Sequence, residues 1–69
     1  MKFLQVIDTA GHTNNINVDF IYNLTSFLNE NENKYITVIH LKYQGDENAF
    51  GTIKTYDALN LVQSRLGNL

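Results

Sequence analysis

The run Tyr35-Ile36-Thr37-Val38-Ile39-His40-Leu41-Lys42-Tyr43 settles how this chain is built. It is rich in β-branched and aromatic residues and holds no Gly or Pro. A polar turn precedes it (Asn29-Glu30-Asn31-Glu32-Asn33-Lys34) and another follows it (Gln44-Gly45-Asp46-Glu47-Asn48). That is the pattern of a strand set between two hairpin turns. The run is apolar on both parities, with Ile36 and Val38 on one side and Ile39 and Leu41 on the other. A strand with two apolar faces is central in its sheet and covered on both sides.

Working back toward the N-terminus, Phe3 to Ile7 reads as a first strand. Asp8-Thr9-Ala10-Gly11-His12-Thr13-Asn14-Asn15 is turn chemistry, because Asp accepts local backbone bonds and Gly and Asn tolerate positive φ. Ile16-Asn17-Val18 alternates as a second strand and closes a hairpin. Asp19 then predicts a one-turn corner, followed by a third strand from about Ile21 to Phe27 or Leu28. The competing reading is a helix over residues 19–29, since Phe20, Leu24, Phe27 and Leu28 share helical spacing and Asp19 would cap it. Beyond the central strand, Ala49 to Lys54 reads as a fifth strand. The chain ends in a helix with Thr55 as N-cap, Asp57 in the first turn, an apolar stripe of Ala58, Leu59, Leu61, Val62 and Leu66, Arg65 in the last turn and Gly67 as terminator. The expected fold class is α+β: one domain over residues 1–69, with a small antiparallel sheet of four to five strands and one C-terminal helix packed on it.

Sixty-nine residues bury only about 60% of their unfolded surface, so a lone monomer is marginal. The chain has no Cys and therefore no disulfide or thiolate metal site. Its net charge of −2 disfavours a nucleic-acid binder that works by phosphate neutralisation. The apolar start ends at Asp8, too short for a signal-peptide core or a membrane span, which predicts a cytoplasmic protein with no membrane partner. Ten asparagines and a single arginine suit an AT-rich genome, such as that of a low-GC bacterium or its phage.

Catalytic groups are scarce. His12 lies in a Gly/Asn turn, and His40 lies in the central strand as a packed or hydrogen-bonded residue. Two histidines in separate elements make no zinc site. Glu30 and Glu32 alternate with Asn at a solvated tip and form no calcium cage. Ser26 and Ser64 have no neighbouring His in sequence, and Gly11, Gly45 and Gly51 are isolated, so no phosphate loop is present. The chain is expected to be non-catalytic and to need no cofactor. The residues singled out for interaction are Tyr35, His40, Lys42, Tyr43 and Lys54. His40, Lys42 and Lys54 share strand parity, and the two tyrosines could stack on bases, so a nucleic-acid-binding regulator is the alternative. The leading expectation is protein–protein binding. One helix covers one sheet face, which would leave either Ile36/Val38 or Ile39/Leu41 in water, and a homo-oligomer is the simplest cover.

The order of strand, turn, Ile16-Asn17-Val18-Asp19-Phe20-Ile21, polar turn, Thr37-Val38-Ile39-His40-Leu41, Gly45-Asp46 turn, strand, and then Thr55-Tyr56-Asp57-Ala58-Leu59 leading into a helix resembles the small FlbD-like flagellar proteins. The resemblance covers Ile16 to Leu66 and implies a regulatory or assembly role without catalysis. This chain departs from it by a longer first turn, an extra segment near Thr25–Asn33 and a longer Gln44–Asn48 loop. Part of the pattern also resembles the first half of LytTR DNA-binding domains, without the second half. No functional residue carries over from either family. A small phage protein that binds and blocks a host factor is a third reading consistent with the size and acidity.

Overall fold

A computed structural model describes residues 2–42 and 50–69 of the chain. The expected Gln44–Asn48 turn, the last residue of the expected central strand, Tyr43, and the first of the fifth, Ala49, lie outside the described residues. The elements are β1 (Phe3–Ile7), β2 (Thr13–Asn17), a 3₁₀ turn (Val18–Phe20), β3 (Ile21–Asn29), β4 (Lys34–Lys42), β5 (Phe50–Thr55) and α1 (Leu59–Gly67). The fold class is the α+β arrangement the sequence predicts. The strands, however, divide into two antiparallel sheets, the hairpin β1–β2 and the three-stranded β3–β4–β5 with β4 in the centre. A bridge between Asp8 and Thr55 joins them.

Local chemistry sets each corner. Asp8 organises the first turn: its Oδ1 accepts the amides of Ala10 (3.0 Å) and His12 (2.9 Å), and its Oδ2 accepts the Asn14 side-chain amide (2.9 Å). Gly11 sits at φ 88°, a conformation that favours glycine. At the second corner the Asn17 side chain accepts the Asp19 amide at 3.0 Å and starts the 3₁₀ turn. The helix considered for residues 19–29 does not form. Ile21–Asn29 pairs along nearly the whole of β4, and this ladder satisfies backbone groups that a short isolated helix would leave at its ends. A register shift between Ile21 and Asn23 makes Tyr22 a bulge, which resets the parity and turns Leu24 to the inner face. Asn33, at φ 53°, closes the tight connection to β4.

The core lies between the two sheets. Leu4, Val6 and Ile16 of the hairpin meet Ile39 and Leu41 of β4 and Val62 of α1, with Val18, Phe20, Ile21, Leu24, Ile53 and Leu66 packed around them. Because Leu4 pairs with Ile16, both point inward, while Phe3 and Ile7 point out and are exposed.

The C-terminal helix differs from expectation at both ends. Thr55 is not its cap: it ends β5, is fully buried, and donates its hydroxyl to the Ile7 carbonyl at 2.8 Å. The same oxygen accepts the Asp57 amide at 3.2 Å, so the capping chemistry read in Thr55 serves a turn instead. Ala58 occupies the N-cap position with no side-chain bond. Asp57 precedes the helix and pairs with Arg65 at 2.7 Å. Gly67 is the last helical residue, and Asn68 caps. The apolar stripe is narrower than expected: Val62 is fully buried, Leu59 and Leu66 are half-buried, and Ala58 and Leu61 are exposed.

Candidate functional site

The three-stranded sheet has a second face, directed away from the hairpin and helix. By register it carries Asn23, Thr25 and Phe27 of β3, Lys34, Ile36, Val38, His40 and Lys42 of β4, and Phe50, Thr52 and Lys54 of β5. The expectation that one apolar pair of β4 is left in water is not met. Ile36 and Val38 are only 5% and 7% exposed, and Ile39 is fully buried on the other side. The cover comes from within the face. Ile36 is directly across from Phe27, and Val38 is flanked by Thr25 and Lys54, a residue whose methylene stem can cover apolar neighbours while its ammonium stays wet. In a sheet of three strands the outer strands' long side chains are enough to roof the middle one.

What this face presents to solvent is aromatic and basic. Tyr22, at 57% exposure, tilts against His40 with ring centroids 6.0 Å apart and meets Phe50 edge-on at 6.1 Å. The Lys42 ammonium stands 5.9 Å from the Phe50 centroid. At the opposite end the Lys34 ammonium lies 4.9 Å from the Tyr56 centroid, and the Tyr56 hydroxyl donates to Glu32 at 2.6 Å. That bond holds the proton on Tyr56 and raises its pKa above the ordinary tyrosine value. Strands β3, β4 and β5 contain no acidic residue, and three of the chain's four lysines lie on this one face of a net acidic protein.

Of the residues singled out from sequence, the structure brings His40, Lys42 and Lys54 onto this face. Tyr35 has the opposite parity, on the side of Ile39 and Leu41, and is exposed beyond the end of the core, so it does not join them. Tyr43 lies outside the described residues. Sequence reading missed Tyr22, Phe27 and Phe50. Tyr22 shares the even parity of Leu24, and only the bulge separates the two. Phe50 was visible as an aromatic in an expected strand, but its face depended on the register of β5 against β4.

His40 and Thr25 are the closest approach to a catalytic pair, with His40 Nε2 2.9 Å from the threonine hydroxyl. Among the described residues no carboxylate or carbonyl orients the other ring nitrogen, as an activated nucleophile requires. The bond instead fixes the imidazole on the open face. No group of three His, Cys, Asp or Glu suited to a metal occurs among the described residues, and no described helix is long and apolar enough to cross a membrane. Comparison with family models, curated proteins and solved structures finds no match to this chain.

Proposed function

We propose that this chain is a non-catalytic binding module that acts by protein–protein contact through the open face of the β3–β4–β5 sheet, working as a homo-oligomer in a regulatory or assembly role. The observation that carries this reading is the solvent-facing Tyr22–His40–Phe50 cluster. Aromatic side chains are enriched at interface centres because they bury large area for few rotatable bonds. The resemblance to FlbD-like proteins supports the same class of role, and a phage inhibitor of a host factor would use such a face in the same way. The test is chemical cross-linking in the native host with wild-type chain and with Tyr22→Ser/Phe50→Ser. A protein captured by the first and lost from the second supports the reading. Identical capture by both contradicts it.

The lysines favour a second reading. Lys34 and Lys42 beside exposed rings, with Lys54 on the same face, form the combination that holds single-stranded nucleic acid, with cations for the backbone and rings for the bases. Titration of a labelled single-stranded oligonucleotide separates the two. Binding that weakens steeply with salt and is abolished in Lys42→Glu/Lys54→Glu supports nucleic acid. Its absence at low salt leaves protein contact as the function.

A further inference from the structure

β3 is an edge strand of its sheet, and the hydrogen-bond alternation along the sheet gives which of its groups face outward. In an antiparallel ladder each residue turns its N–H and C=O to the same neighbour, and successive residues alternate. The Lys54 carbonyl accepts the Thr9 amide at 3.0 Å, so the even residues of β5 face away from β4. Thr55, Ile53 and Gly51 therefore bond to Thr37, Ile39 and Leu41. Val38 and Ile36 are left to bond Thr25 and Phe27, and Leu24, Ser26 and Leu28 direct their backbone groups out of the sheet. An independent observation agrees: the Leu24 amide donates to the adjacent Asn23 side-chain oxygen, at 2.9 Å, as an amide with no ladder partner would.

Exposed edges are normally blunted by charge, Pro, a bulge or brevity. β3 is nine residues long and contains neither a charged residue nor a Pro, and its one bulge lies at its start. The other edges differ. β5 is bridged to the first turn through Asp8 and Thr9. β1 and β2 have five residues each, and the Ile7 carbonyl of β1 is taken by the Thr55 hydroxyl.

We propose that β3 pairs antiparallel with β3 of a second copy of this chain, about a two-fold axis through Ser26, joining the two three-stranded sheets into one. It rests on the reading of the chain as self-associating and gives that association its contact. The register is self-complementary. Ser26 meets its own counterpart, and Leu24 meets the second copy's Leu28, so the outward backbone groups on both edges coincide. On the inner side each exposed Leu28 gains an apolar neighbour. On the open side Phe27 meets the second copy's Thr25 at a non-hydrogen-bonded site, where cross-strand side chains approach most closely. A two-fold pairing sets like against like near its axis, which an uncharged strand tolerates and a charged one does not. The paired sheets present both aromatic faces on one side of the dimer.

The test uses the full chain in sedimentation and in amide exchange by NMR. Wild type should be dimeric at high micromolar concentration, and its Ser26 and Leu28 amides should exchange more slowly as concentration rises. Ser26→Lys and Ser26→Glu should each be monomeric with native circular dichroism, and their equimolar mixture should dimerise. A wild-type monomer throughout overturns self-association itself. A dimer that Ser26→Lys leaves intact overturns the edge pairing alone. If the variants do not fold, Ser26 and Leu28 exchange that ignores wild-type concentration overturns the pairing. Protection of those amides only in cell extract would assign the edge to a foreign strand and also overturn it.

Discussion

The two faces of the β3–β4–β5 sheet bury the same central strand by different means. On the inner face Ile39 and Leu41 are sealed by other elements, the β1–β2 hairpin and Val62 of α1. On the outer face Ile36 and Val38 are sealed by cross-strand neighbours of their own sheet, whose far sides remain in water. The first kind of burial couples distant parts of the chain, and losing it unfolds the domain. The second is local. It leaves Tyr22 and Phe50 available for contacts that folding does not use. A small chain therefore need not associate in order to shield a second apolar face.

This contrast ranks the expected effects of substitution. Val62→Asp places an unpaired charge among hairpin and sheet side chains that exclude water, at a cost of several kcal/mol, comparable with the whole stability of so small a domain. Its circular dichroism should show an unfolded chain. Ile39→Ala leaves a cavity with walls on all sides and should cost about 2–5 kcal/mol in urea titration. Ile36→Ala should fall at or below about 2 kcal/mol, because the side chains above it, Phe27 among them, are free to settle into the space. Equal losses at the two positions would remove the distinction between the faces.

Smaller effects test how the sheets are joined. Thr55→Val keeps the shape of a buried side chain but leaves the Ile7 carbonyl and the Asp57 amide without the hydroxyl, and should cost about 1–3 kcal/mol. Asp8 sets a pH dependence. The His12 amide and the Asn14 side chain, and to a lesser degree the Ala10 amide and the nearby His12 ring, hold its pKa below the ordinary carboxylate value against the opposing effect of burial. A depressed folded pKa means stability that is present above the unfolded value, about 3.9, and lost as pH falls through the folded one. Wild type should therefore melt above Asp8→Asn at neutral pH, and the gap should close in acid. A gap that widens in acid would contradict the assignment.

Much of this architecture was legible in the sequence. The Tyr35–Tyr43 run is apolar on both parities, and no element but a central strand accommodates that. The Asp19 corner and the Asn29–Lys34 turn follow from residues whose local hydrogen bonds compete with regular structure. The helix start was misread because Thr55 can cap a helix or bond a neighbouring strand equally well, and only the approach of Ile7 decides between them. The open face was half legible. His40, Lys42 and Lys54 follow from simple alternation, whereas placing Tyr22 required a bulge and placing Phe50 required a register, and both depend on pairing across strands. Tyr35 shows the converse: its residue type suited the site, but its parity puts it on the other side.

The outer face is proposed to serve contact and not stability. The most direct measurement is a thermal melt of Tyr22→Ser/Phe50→Ser alongside a test of whether it still cross-links to the protein that the wild type is proposed to capture. Removing the edge-on ring pair should cost about 1 kcal/mol, roughly 4–8 °C in a domain of this size, while the chain stays folded and capture is lost. A variant that unfolds as Val62→Asp does, or one that stays folded and keeps the partner, would contradict the account.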